Sequence, residues 1–156
     1  MFTPDKTLDA LLALTSGNHR DRSLAVEETL RAACQLVEAE AASFLFYDGR
    51  RATRTTLLGT GARIVEEHPN PNEGLFRQVT LEGRAAVVNK PSADPRFWKS
   101  DDAPAAIEVR NVLAAPVRIR KQNMGVLAAF NHEGRSGFSS QEAKTLSLLS
   151  SCLGLV

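Results

Sequence analysis

Cysteine, long apolar runs and an excess of either charge are all scarce in this chain. Its two cysteines, Cys34 and Cys152, stand far apart in helical contexts, which is neither a secreted disulfide framework nor metal-ligand spacing. Each reads as a small hydrophobe of the core, and a reducing, cytoplasmic compartment is expected. No segment reaches the roughly 18 apolar residues of a membrane span, and the N-terminal stretch lacks a signal peptide's apolar core. Lys plus Arg number 19 against 18 Asp plus Glu, so the basic excess of a nucleic-acid or polyanion binder is missing. The short basic runs Arg50-Arg51 and Arg118 to Lys121 fall at expected turns and read as solvated rather than phosphate-binding.

Catalytic material is equally thin. There is no glycine-rich phosphate loop, nucleophile elbow or His-Glu-x-x-His motif. His19, His68 and His132 share no metal-ligand spacing with one another or with cysteine, and each is expected to be an ordinary surface histidine. In Glu66-Glu67-His68 neighbouring side chains diverge along a strand or loop, so they read as a solvated charge run. Ser139, Ser140, Ser147, Ser150 and Ser151 belong to a helix cap and a helix surface. No catalytic residue, metal or cofactor is expected, and the chain is not read as an enzyme.

What is present is one domain's worth of alternating elements, since 156 residues bury roughly two thirds of their unfolded surface. Thr3-Pro4 opens a short helix carrying Leu8, Leu11 and Leu12, stopped by Gly17-Asn18. Val26, Leu30, Ala33, Val37 and Ala41 then repeat at helical spacing. Residues 42–47 and 54–58 flank the turn signal Asp48-Gly49 as a hairpin. A short strand at 63–65, a brief helix carrying Leu75, Phe76 and Val79, and a small strand at 85–89 follow. Residues 111–119 and 124–130 are the clearest strands and are expected at the centre of the sheet. Ser139 and Glu142 have capping-box spacing before a final helix with Leu146, Leu149 and Leu153. The order is an antiparallel α+β pattern.

The stretch of residues 89–131 is the most informative. A long loop with Asp94-Pro95-Arg96-Phe97-Trp98 leads into that second hairpin, and such loops inside a compact domain are lids, binding loops or disorder. Pro95 fixes a bend, Asp94 and Arg96 can fasten the loop, and Phe97 supplies an apolar anchor. Strand alternation puts Phe44 and Phe46 on one face without saying which.

Gly74-Leu75-Phe76, Glu82-Gly83-Arg84, Asp94-Pro95-Arg96-Phe97, Arg110 to Val117, Gly125-Val126-Leu127 and Asn131, closed by Phe138 and a capped helix, together resemble the GAF domain family. The resemblance runs from about residue 8 to 153 of a single domain spanning 1–156. It implies a profilin-like fold: about six antiparallel strands, long helices on one face, and short helices and a lid over a small-molecule pocket on the other. Residues 1–22 would be an N-terminal helix and connector, and the helix from about residue 140 would continue into a downstream domain. Some cyclic-nucleotide-binding members carry Asn-Lys, then Phe, three residues, then Asp-Glu. Here the matching positions are Asn131-His132, Phe138 and Glu142-Ala143, so the lysine-to-carboxylate tie is expected to be missing. Bilin attachment needs a cysteine often followed by histidine, and methionine sulfoxide reduction needs cysteines around the lid; neither pattern occurs.

The expected function is a cytoplasmic sensor module of a larger bacterial-type signal transduction protein, binding an unidentified small molecule and transmitting through its terminal helices. The expected ligand contacts are Phe76, Phe97, Trp98, Arg110, Asn111 and Ala115, beneath a lid fixed by Asp94, Pro95 and Arg96. The alternative is a ligand-free dimerisation module. A homodimer through Leu8, Leu12, Leu149 and Leu153 is compatible with either.

Overall fold

The computed structural model describes residues 22–48, 50–59 and 63–153. The expected first helix, with Leu8 and Leu12, lies outside them. Helix α1 (Arg22–Leu36) leads into β1 (Ala39–Asp48), β2 (Arg51–Leu58) and β3 (Arg63–Glu67); α2 (Leu75–Glu82) and β4 (Ala86–Val88) follow. Next come a 3₁₀ turn at Pro91–Ala93, the one-turn helix α3 (Lys99–Asp102), β5 (Val112–Ile119), β6 (Gln122–His132) and α4 (Ser140–Leu153). Every strand pair is antiparallel. The order across the sheet is β3-β2-β1-β6-β5-β4.

Helix α1 stops five residues short of the expected Ala41. Glu38 turns the backbone into the left-handed region at φ 54°, and Ala39 and Ala41 pair with His132 and Phe130 of β6. Ladder hydrogen bonds override alanine's local helical preference there. The centre of the sheet is correspondingly β1 against β6, with β5 one place further out.

Period-two alternation sorts the core into two layers. Ala42, Leu57, Leu113, Ala115, Val117, Leu127 and Ala129 face α1 and α4, where they meet Leu30, Ala33, Val37, Leu146, Leu149 and Leu153. Ala41, Leu45, Tyr47, Ala52, Val112, Ala114, Val126, Ala128 and Phe130 face the opposite way, under Leu75, Phe76 and Val79 of α2. Phe44 packs on the helical side, with Phe46 beside it at 6.2 Å between ring centroids. Leu149 and Leu153, expected between two copies of the chain, are instead buried in the helical layer. Exposed apolar surface on these helices comes from Leu24 and Leu148.

The β5–β6 hairpin turns on Arg120 and Lys121, both in the left-handed region at φ 51° and 68°, between the paired residues Ile119 and Gln122. Two-residue turns of this hand favour Asn-Gly because other residues strain there. The double substitution Arg120→Asn with Lys121→Gly is therefore expected to stabilise the protein by about 1 kcal/mol, read as a higher urea midpoint.

Candidate ligand site beneath the lid

The lid runs from the end of β4 to the start of β5. Its bend is fastened by one residue pair: Asp94 accepts from the Arg96 backbone N–H at 2.9 Å, from Nε at 3.0 Å and from Nη2 at 2.7 Å. The Arg96 side chain, more than any other influence, holds the Asp94 carboxyl below its usual range. Phe97 turns inward against the apolar layer, whereas Trp98 is 44% exposed.

Two buried charges, neither of them singled out by the sequence pattern, secure the lid to the sheet. Asp102 is 1% exposed. It accepts from the backbone N–H groups of Leu75 at 2.8 Å, Phe76 at 3.3 Å and Trp98 at 2.7 Å. It thus joins the first turn of α2 to the start of α3. Burial pushes its carboxyl up, against the pull of those three donors. Arg54 of β2 is 2% exposed; its Nη1 donates to the Asp101 carbonyl at 2.8 Å and its Nη2 to the Ala103 carbonyl at 3.1 Å. Glu67 of β3 lies 3.4 Å away. The buried Arg54 Nε has no partner.

Under the lid the sheet presents small side chains, Ala41, Ala52, Ala114 and Ala128. Phe76 and Phe130 fill the space above them edge to face, 6.1 Å apart. Ser43 and Thr56 satisfy each other at 2.7 Å. Burial lifts the Tyr47 hydroxyl to about 12, and Arg77 stacks 5.5 Å over its ring.

The expected site residues do not all converge here. Phe76 and Phe97 do. Ala115 lies across the sheet in the helical layer, one residue out of register with the lid-facing Ala114. Arg110 is 3.6 Å from Glu40 at the surface. Asn111 is buried and fully engaged: its Oδ1 accepts from His132 N–H at 2.8 Å and its Nδ2 donates to the Ser136 carbonyl at 3.1 Å.

Asn131 does the complementary work. Its Oδ1 accepts from the N–H of Arg110 and of Asn111, at 2.6 and 3.3 Å. Its Nδ2 donates to Glu40 at 2.9 Å and to the Glu108 carbonyl at 2.8 Å. The two asparagines thus clamp the lid's exit to the end of β6.

His132, expected at the surface, is 3% exposed. The tie expected to be missing is made by different residues, because His132 Nε2 meets Glu142 Oε2 at 2.9 Å. His132 Nδ1 accepts the N–H groups of Gly134 and Arg135, so the ring proton belongs on Nε2, facing Glu142. Glu142 also closes the capping box: it accepts from the Ser139 N–H at 2.9 Å while its own N–H donates to Ser139 Oγ at 3.2 Å. Burial raises the Glu142 carboxyl, but Ser139 and His132 together bring it below its usual range. Glu38, His132 and Glu142 gather within 4.8 Å, yet Arg135 lies 2.7 Å from Glu142. A protonated Nε2 and a neighbouring guanidinium make this a hydrogen-bonded clasp rather than a cation site.

A separate open cleft of about 480 Å³ lies at the end of α1, lined by Cys34, Glu38, Gly59, Glu133 and Gly134. Burial first, then Glu133, lifts the Cys34 thiol to about 12, which leaves almost no thiolate at neutral pH. Cys152 lies in α4 against the same helical layer.

The family model described as GAF domain matches residues 19–156. No curated protein matches the chain. Among solved structures, the chain is similar to the GAF domain of an Acinetobacter phosphoenolpyruvate-protein phosphotransferase at a TM-score of 0.78 and 19% identity, covering 96% of this chain and 89% of the other. Free methionine-R-sulfoxide reductase from Neisseria meningitidis, solved with its substrate, gives 0.71 at 14% identity, covering 99% and 90%. The cyanobacteriochrome receptor PixJ gives 0.67 at 20% identity, covering 88% and 95%.

Proposed function

This chain belongs to the GAF domain family, whose members are sensory and regulatory modules of signalling proteins, and on that premise we propose that it is a cytoplasmic small-molecule sensor. The ligand enters beneath the lid, and the change passes through α1 and α4 to a downstream domain of the same protein. The observation that carries this reading is the fastening of the lid. Arg54 and Asp102 hold it by polar bonds over a floor of small side chains, and polar latches exchange with a polar ligand where a continuous apolar core does not. Phe76, Phe97 and Trp98 remain the proposed contacts, joined by Ala114 in place of Ala115. Arg110 and Asn111 serve the frame of the lid. A homodimer, if formed through these helices, uses Leu24 and Leu148, the exposed leucines of α1 and α4.

A regulatory rather than enzymatic role is supported by the cysteines. Both thiols of the chain belong to helices across the sheet from the lid, so a thiol-based reduction beneath the lid has no nucleophile there. The balanced charge argues against nucleic-acid partners.

The test is a thermal-shift screen of the protein against carboxylic acids, amino acids and cyclic nucleotides, with hydrogen exchange read over residues 97–110. A true ligand at about 100 times its Kd should add about 2.7 kcal/mol of stability and alter protection of the lid. One observation favours the second reading, a ligand-free structural module: Phe76 and Phe130 already occupy the space over the alanines. A screen in which no compound moves either stability or lid exchange selects that reading.

A further inference from the structure

We propose that the space beneath the lid is a carboxylate site which the lid closes with a carboxylate of its own, Asp102 occupying the place that a small carboxylic acid takes when the lid swings out. This rests on the reading of a ligand site beneath the lid and assigns its ligand class and resting state.

Leu75 and Phe76 open α2, so their N–H groups have no partner within the helix and carry the positive end of its dipole. That makes them an anion cradle. The group found in the cradle is not a neighbour in sequence but a side chain of the lid, at 2.8 and 3.3 Å. The backbone is shaped around it. Gly74 takes φ 96°, and a Cβ there would stand 2.5 Å from Asp102 Oδ1 and 2.8 Å from its Cγ.

An independent observation comes from Arg54. Its buried guanidinium binds the carbonyls of Asp101 and Ala103, the residues on either side of Asp102, while its Nε–H finds no acceptor. In the closed form this cation therefore holds the lid by neutral carbonyls alone, with Glu67 at 3.4 Å as its ion-pair partner.

When the lid leaves, Asp102 moves to solvent with α3, and the Leu75 and Phe76 N–H groups and all the Arg54 donors that faced the lid come free together. One acid can then take both, bonding the helix start with one oxygen and the guanidinium with the other, a charge-assisted arrangement. The charge of the site is unchanged, because one carboxylate replaces another. A neutral or cationic ligand would leave Arg54 and the helix start without that compensation. The surrounding Phe76, Phe97 and Phe130 favour an acid with a small apolar body. Because the resident carboxylate is tethered, the incoming acid shifts the lid's population only as its concentration and affinity outweigh Asp102's effective concentration.

The experiment compares the full 156-residue chain with Asp102→Ala and Asp102→Asn. Propionate, benzoate, chloride and phosphate are added at equal ionic strength, followed by thermal shift and calorimetry. Asp102→Ala should melt lower than wild type and recover about 5 °C or more with either carboxylate but not with chloride, as mass action on an emptied site requires. Adding Arg54→Gln should abolish that recovery. Should Asp102→Ala not fold, Asp102→Asn, which keeps the volume and one acceptor, should bind propionate about tenfold tighter than wild type, the competing internal carboxylate having gone. Carboxylates acting no better than chloride on both variants overturn the inference. If wild type is then still stabilised by a neutral compound that alters lid exchange, the ligand site itself stands; if nothing of any class binds, both readings fall.

Discussion

Arg54→Ala is expected to lower the unfolding free energy by about 3–5 kcal/mol, the cost of breaking a buried charged contact and leaving a cavity. The Asp101 and Ala103 carbonyls lose their donors, and Glu67 loses its cation. Burial works against the charged form of this guanidinium, while Glu67 supports it. Arg54→Lys should recover little, because an ammonium on a flexible stem cannot reproduce a planar fork that spans two carbonyls. Urea titration measures the loss, which is a large fraction of the ~5–15 kcal/mol that a domain holds in all. Hydrogen exchange should speed up first in residues 97–110. A loss under about 1 kcal/mol would mean that the lid does not depend on this arginine.

Asn131→Ala is expected to cost a similar amount, about 3–5 kcal/mol, for a different reason. The side chain makes four hydrogen bonds; their loss strands the buried Asn111 N–H, at about 1–3 kcal/mol, and forfeits the part-buried bonds to the Arg110 N–H, the Glu108 carbonyl and Glu40. The residue also sits at φ 62°, which asparagine tolerates and alanine resists. Asn131→Gly separates the two contributions. It relieves the backbone but not the bonds, and so should recover about 1 kcal/mol of the loss. Equal stability of the two variants would assign the whole effect to the hydrogen bonds.

The architecture was legible because it depends on period. Strand alternation, the pairing of β1 with β2 and the Ser139–Glu142 cap all follow local rules, and all are present in the structure. The polar fasteners follow no such rule. Asp102 is one of two adjacent aspartates in a long loop with no motif around them, and its role depends on where the lid folds back onto α2. Arg54 did leave a trace: it shares its strand face with Ala52 and Thr56, and all three are buried. A lone cation on an inward register is a signal worth following. Ala115 was misplaced because adjacent alanines offer no alternation by which to tell the faces apart. The His132–Glu142 contact was missed because matching residue types to a motif ignores that an imidazole N–H can serve a carboxylate as an ammonium does.

The pairing of β1 with β6 has a mechanical consequence. These strands join positions distant in sequence, with Ala41 beside Phe130 and Phe46 beside Gly125. They approach so closely that a Cβ on Gly125 would stand 2.5 Å from the Leu45 carbonyl oxygen. Each is also the strand to which a long helix is attached, α1 running into β1 and α4 following β6 through the His132–Glu142 clasp. The seam therefore works as a torsion bar with a lever at each side. Because α4 packs mainly on β5, next to the bar, a change of twist reaches α1 through β1 and α4 through both β5 and the clasp.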